Sequence, residues 1–478
     1  MGSKTPQNDQ GHHQGPPPLS NATNNVAAGR NGPAPGDGDG CLGSNGAAGG
    51  SDDDDDDGIA KAETSAVTLT SSKSKKKKKR SKSKKSKNGS SKHQTSPPSI
   101  PIADLFPAGT FLTGQLLDYP PSEESTKRTT QAELRALTRT NIEDPVFLND
   151  YRHAAEVHRQ TRAWVQQYAK PGVSLTGVAS GMDDSIRALL NNPGLGTGSA
   201  LKSGLGFPTG LCVNEVAAHW TPNPGGKDVV LSEHDVLSVD FGVHINGWIV
   251  DSAFTISWDP VYDELLKAVR EATEAGIKLA GPDARIASLS EAIQETMESY
   301  EVTLPSRSNN TGSKTYQVRA IRNITGHNID QYRIHAGKSV PFIAHEDDGT
   351  KMEEGEVYAI ETFGTTGKGW LRDGDGAYGY GLSSDQPLPA KITLPLASAN
   401  KLYRTIKDNF GTLNFARRQL EHLGCERYLA GLHSLVSHGI LTEHKPLVDI
   451  KGSYTSQFEH TILLRENCKE VVSRGDDY

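Results

Sequence analysis

Asp240-Phe241-Gly242-Val243-His244-Ile245-Asn246-Gly247-Trp248-Ile249-Val250-Asp251 is the stretch whose reading decides the fold. Asn-Gly is the dipeptide favoured in a two-residue type I′ hairpin turn, which needs positive φ at both central positions. With the turn at Asn246 and Gly247, residues whose numbers sum to 493 face one another. Asp240 then opposes Ala253 and Asp251 opposes Gly242, and all four project from one face. The two aspartates become diagonal neighbours, about 7–8 Å apart. One carboxylate of such a pair can bridge two cations while the other chelates one. The bland alternative is a wet face carrying two solvated acids, and the neighbouring Val239, Phe241, Ile249 and Val250 argue against it.

Composition divides the 478 residues unevenly. Residues 1–100 contain no Phe, Tyr or Trp, and combine a Gly- and Asn-rich opening, the acidic run Asp52–Asp57 and the basic block Lys73 to Lys92. So little apolar surface cannot offset chain entropy, so this segment is expected to be a disordered tail. It holds 15 Lys and Arg against 10 Asp and Glu, a net of +5. The remaining 36 basic and 48 acidic residues give 101–478 a net of −12, so any attraction to nucleic acid belongs to the tail. No run of about 18 apolar residues offers a membrane span, and the amino terminus lacks the apolar core of a secretory signal. Met1-Gly2-Ser3-Lys4-Thr5-Pro6 fails the myristoylation pattern at Pro6. Cys41, Cys212, Cys425 and Cys468 have no paired spacing, which suits a reduced compartment and excludes a thiolate zinc finger. A cytoplasmic, monomeric protein is expected, with one large domain over 101–478.

Within that domain, Tyr151, Ala154, His158, Thr161, Val165 and Tyr168 recur at helical spacing, predicting a helix over 149–169 that Pro171-Gly172 stops. Asp259-Pro260 reads as an N-cap with proline at the first helical position, ahead of a stripe through Leu265, Leu266, Val269, Ala272 and Ala275. Ser288 with Glu291 reads as a capping box. Strands are expected at 317–322, 328–335, 355–363 and 457–464. Two helices over about 401–440 interrupt them as an inserted helical subdomain, about 398–445. Paired strands mixed with helical hairpins make the fold class α+β.

Further ligand-type side chains recur in strand context. His327 and His335 would share one side of an intervening strand. Glu361 lies in Val357-Tyr358-Ala359-Ile360-Glu361-Thr362-Phe363, and Glu459 in Gln457-Phe458-Glu459-His460-Thr461-Ile462-Leu463-Leu464. A carboxylate in so apolar a strand is costly to bury unless it is paired or bound to metal. Taken singly, each histidine, His219 included, more often satisfies a structural hydrogen bond, and each glutamate could join an internal ion pair. Taken together, two Asp, two Glu and a His point to a two-metal carboxylate site suited to divalent first-row ions.

The order and detail of the motifs allow a family to be named. Phe207-Pro208-Thr209-Gly210, Ala217-Ala218-His219, Asp240-Phe241-Gly242, Asn323 to His327, Tyr332-Arg333-Ile334-His335-Ala336-Gly337-Lys338, Tyr358 to Gly364 and Gln457 to Thr461 resemble the type 2 methionine aminopeptidases. The resemblance covers about 101–478, and the lysine-rich tail in character. It implies a pita-bread fold of two pseudo-twofold halves with two divalent ions (manganese, cobalt, iron or zinc) between them. It implies that Asp240 holds one ion, His327 and Glu361 the other, and Asp251 and Glu459 both. The implied nucleophile is a water whose pKa the cations lower. His335 would steady the scissile carbonyl, Glu361 would shuttle the proton, and His219 would stand at the substrate side. Phe207, Ile334 and His444 would line the methionine pocket.

The implied activity is removal of the initiator methionine from nascent chains whose second residue is small and uncharged. Three positions depart from the family pattern: His444 for a tyrosine, Asn414 for an alanine, and Gly376-Ala377-Tyr378-Gly379-Tyr380 in place of a segment with a histidine. Two rivals share the fold. A prolyl-dipeptide hydrolase usually carries a folded amino-terminal domain, which this tail cannot supply. A metal-independent ribosome or translation-factor binder lacks several ligands, whereas all five are present here. The polylysine run Lys75 to Arg80 could still neutralise phosphates of ribosomal RNA, or serve only as a solubilising tail or nuclear-type signal.

Overall fold

A computed structural model describes residues 93–478, apart from 107, 121–141, 306–311, 345–348, 384–388 and 390. The expected tail and its polylysine block therefore lie outside the described residues, except for 93–100. Those residues join the body: the Gln94 side chain bonds to Ile100 O at 3.0 Å and to Gln160 at 2.8 Å.

The order of elements repeats. The helices Pro145–Tyr168 and Leu175–Leu189 precede the strands Val236–Ile245 and Trp248–Ser257. The helices Asp263–Leu279 and Ile286–Glu298 precede the strands Thr325–Ile329, Val357–Thr365 and Thr455–Leu464. The expected 149–169 helix starts earlier because Asp144 Oδ1 accepts from Val146 N and Pro145 occupies the first turn. Its partner, capped by Ser174, escaped the sequence reading. Gly181 lets the two helices close up, since a Cβ there would lie 2.2 Å from the Trp164 ring.

The hairpin forms in the expected register, with Ile245 opposite Trp248, Gly242 opposite Asp251 and Asp240 opposite Ala253. Asn246 and Gly247 carry φ of +52° and +81° at its turn. The Asp240 strand is held along its other edge as well. Ser203–Leu205 pairs with its Val243–Ile245 end, and Gly210–Val213 pairs with Leu237–Asp240. In the second large sheet the strand order runs 115–117, 469–471, 455–464, 357–365, 325–329, 339–341, with 319–320 also on the 357–365 strand.

Hydroxyls join the hairpin to this sheet. Asp251 N donates to Thr461 Oγ1 at 2.8 Å, Ser252 Oγ to Glu459 O at 2.7 Å, and Thr255 Oγ1 to Gln457 O at 2.8 Å. From outside, His158 Nε2 lies 3.0 Å from Phe241 O and 3.1 Å from Ser252 O. Thr273 Oγ1 donates to Phe458 O at 3.1 Å. Helices thus cover the outer faces and the strands meet within.

Three expectations need correction. The segment 328–335 is a strand only to Ile329; the chain then turns, with Asp330 bridged to Arg333 and Tyr332 at φ +57°. That turn docks on the hairpin, Tyr332 N donating to Gly247 O at 2.8 Å. Ser288 and Glu291 do not cap a helix: it begins at Ile286, and Ser288 N already bonds to Arg285 O. The insert has three helices rather than two, Ala397–Phe410, Arg417–His422 and Leu429–Ser437, around a core of its own that includes Tyr403, Ile406, Phe415, Leu420 and Leu435. It closes where Leu441–His444 pairs with Gly379–Leu382.

Candidate metal centre

Glu361 lies directly opposite Glu459 in the central strand pair, and His327 opposite Ala359 on the next strand. Alternation then puts His327, Glu361, Glu459 and Gln457 on one face, and the hydroxyl-stitched hairpin brings Asp240 and Asp251 against it. His327 Nε2 is 3.3 Å from Glu361 Oε1 and 3.7 Å from Asp251 Oδ2. Ligand atoms of Asp251, His327 and Glu459 all lie within 4.8 Å of one another.

Burial makes this concentration of acids costly. It pushes the Asp240 carboxyl up to about 7, with nearby Glu361 adding to the effect and Gln457 opposing it. Glu361 is pushed up to about 8 by the same desolvation. Asp251 and Glu459 rise well above the usual carboxylate range, first through burial and then through their acidic neighbours. Buried imidazoles move the other way, His327 down to about 4 and His335 and His219 to about 3. They are neutral, with a ring nitrogen free to ligate or accept.

The donor set fits divalent cations. Asp240 Oδ1, Asp251 Oδ1 and Glu459 Oε1 are buried with no hydrogen-bond partner among the described residues, which is expensive unless a cation meets them. Gln457 is a residue the sequence reading passed over. Its Nε2 reaches Asp240 Oδ2 at 3.2 Å and Glu459 Oε2 at 3.5 Å, holding carboxylates from both sheets. Its place two residues before Glu459 was the available signal.

Phe207, His219, Asp240, Asp251, His327, Ile334, His335 and Glu361 all line one cavity of about 370 Å³. Glu459 is buried behind the wall, 1% exposed. His327 and His335 come together as expected, rings 4.2 Å apart and edge to face, though a chain reversal and not a strand unites them. His219 follows the strand Val216–Ala218 with φ +61°, a costly conformation for a non-glycine residue that must be held by its surroundings. Its ring stacks on Tyr378 at 5.1 Å, and the Tyr378 hydroxyl donates to Pro208 O. Two of the departures, Tyr378 and Asn414, belong to the cavity wall. His444 is not among the lining residues; it stands beside the wall, opposite Gly379, and helps lower the pKa of His219.

A model of metallopeptidase family M24 matches residues 149–465, well over half of the chain. The chain belongs to that family. Within it, the chain is 59% identical over 385 residues to methionine aminopeptidase 2-2 of Emericella nidulans, covering 80% of this chain and 82% of that one. It is 60% identical over 389 residues to methionine aminopeptidase 2-1 of Penicillium rubens, covering 81% and 82%. This places it among the type 2 methionine aminopeptidases, metal-dependent hydrolases. A solved thermophilic Arx1 aligns with a TM-score of 0.55 at 16% identity, over 74% of this chain and 93% of that one, a likeness of fold alone. The expected α+β pita-bread architecture is the one found.

Proposed function

We propose that this M24 peptidase removes the N-terminal methionine from polypeptides whose second residue is small and uncharged, using two divalent ions. The observation that carries the reading is the convergence of buried Asp240, Asp251 and Glu361 with neutral imidazoles on a single cavity that Phe207 and Ile334 also line, with Glu459 against Asp251 and His327. Asp240, Asp251, His327, Glu361 and Glu459 would hold the ions. Bound there, divalent cations lower the pKa of a water and polarise the scissile carbonyl. His219 and His335 donate ring N–H groups to the carbonyl oxygen and hold the peptide's first residue in place. Glu361 takes the proton from the attacking water on a carboxylate oxygen and returns it to the departing amine. Phe207 and Ile334 receive the methionine side chain, with Asn414, Tyr378 and the adjoining His444 shaping the entrance.

The free α-amine is recognised among the carboxylates, so the reaction is exopeptidic. Met-Gly and Met-Val peptides should be cleaved with added manganese or cobalt, and N-acetyl-Met-Gly should not; equal cleavage of the acetylated peptide sinks the reading. Neither a prolyl-dipeptide hydrolase nor a metal-independent binder has support from the 57–60% identical relatives, all named methionine aminopeptidase 2. Nascent chains are the natural substrates, in the cytoplasm, with the Lys73 to Lys92 block aiding residence on ribosomal RNA. Among the described residues no helix is long and apolar enough to cross a membrane.

A further inference from the structure

Away from the metal centre lies a shallow groove of about 670 Å³ bordered by Arg319, Arg322, Lys368 and Trp370, with Glu298 and Gln317 at its edge. The Trp370 indole is 61% exposed, and all three cationic residues are exposed. Among the described residues none of the three cations has an ion-pair or hydrogen-bonded acid. Glu298 is the one carboxylate in the lining, and it accepts from Gln294 Nε2 at 3.1 Å. Such a surface is unexpected on a body whose residues 101–478 carry a net of −12.

The groove is also rigid. Its two walls are stapled by Asn323, whose Nδ2 donates to Leu371 O at 2.7 Å while its Oδ1 accepts from Leu371 N at 2.8 Å. Arg322 N donates to Gly369 O at 3.0 Å. Gly369, at φ +70°, permits the close approach, since a Cβ there would lie 3.0 Å from Ala320 O. Buried Asp449 spends its carboxylate on Thr365 Oγ1 and on the amides of Lys368 and Gly369, so it fixes the loop and leaves the Lys368 ammonium to solvent.

We propose that this groove binds single-stranded nucleic acid, with a base stacked on Trp370 and backbone phosphates on Arg319, Arg322 and Lys368. Charge alone would suit an acidic peptide equally well. An exposed indole on a groove lined by guanidinium groups is the combination that stacks bases without sequence preference. The groove shares no lining residue with the catalytic cavity.

The test uses full-length protein with every Lys and Arg between Lys73 and Lys92 changed to Gln, and a fluorescein-labelled oligouridylate followed by anisotropy. Trp370→Ala should weaken binding about ten-fold, with Trp370→Phe recovering part of it. The triple variant Arg319→Gln, Arg322→Gln, Lys368→Gln should flatten the plot of log affinity against log salt by about 2, three phosphates at about 0.7 each. Oligouridylate should quench indole emission in the parent and not in Trp370→Phe. All variants should keep Met-Gly cleavage, which reports folding and the catalytic reading independently of this one. Unchanged RNA binding in either groove variant overturns the proposal. So does an oligoglutamate peptide that binds as tightly as the RNA without needing Trp370, an outcome that would make the groove a docking site for acidic peptide.

Discussion

The wall that carries the buried carboxyls and the wall opposite it are built by different means. Asp240, Asp251, His327, Glu361 and Glu459 all project from paired strands, whose registers fix where each carboxyl lies. His219, Ile334 and His335 come from turns, Asn414 from the connection between the insert's first two helices, and His219 is held at φ +61°. Strand pairing between distant segments locates charge rigidly, which suits groups that repel one another until a cation arrives. Loops can change residue without disturbing that frame. All three departures from the family pattern accordingly fall on or beside the loop-built wall and none among the five strand-borne residues Asp240, Asp251, His327, Glu361 and Glu459.

The largest effect that could break this contrast is loss of Asp251 or Glu459, the carboxylates proposed to serve both ions. Asp251→Asn and Glu459→Gln should each lower activity on Met-Gly by about a thousand-fold or more, the several kcal/mol that metal polarisation supplies. Metal content of the purified variants should fall with it. If either variant keeps its full metal complement and turns over normally, the strand wall is not the metal wall.

A smaller and differently shaped loss is expected on the other side. His219→Asn should cut kcat by about a hundred-fold, the usual scale of a positioned imidazole, while metal content stays at the parent level. Loss of metal as complete as in Asp251→Asn would erase the distinction between the two walls.

The same contrast explains what could be read in advance. Asn246-Gly247 is a local signal, so the hairpin register and the shared face of Asp240 and Asp251 followed from the sequence alone. The pairing of Glu361 with Glu459 joins strands almost a hundred residues apart, and no local pattern specifies such a partner. Their site could be reached only from the cost of acids in apolar strands and from family resemblance. The 328–335 segment misled because His327 and His335 are eight residues apart, an even spacing that suits one face of a strand. Its course is set instead by Tyr332 docking on the hairpin turn, a tertiary contact. Ser288 and Glu291 matched a capping pattern, but Arg285 is held in extended backbone by its bridge to Lys351, so the helix begins three residues earlier than the pattern requires.

The smallest effect concerns the metal-free protein. In an unfolded chain these carboxyls titrate near 4, whereas folding raises Asp240 to about 7 and Glu361 to about 8, with Asp251 and Glu459 shifted the same way. Between those limits the folded protein holds protons that the unfolded chain has released. The stabilising contribution is therefore complete below about pH 4 and is lost as pH rises through the folded values. Chelator-treated protein should melt several degrees lower at about pH 8.5 than at about pH 5.5. Ligation requires the carboxylates deprotonated, so saturating manganese should raise the melting temperature most at the higher pH. Calorimetric scans at both values with and without metal make the comparison, and Asp240→Asn should flatten the metal-free slope. A metal-free protein whose melting temperature does not fall across that range would mean that the strand wall carries ordinary acids, and its repulsion could no longer account for why the ligands are fixed so rigidly.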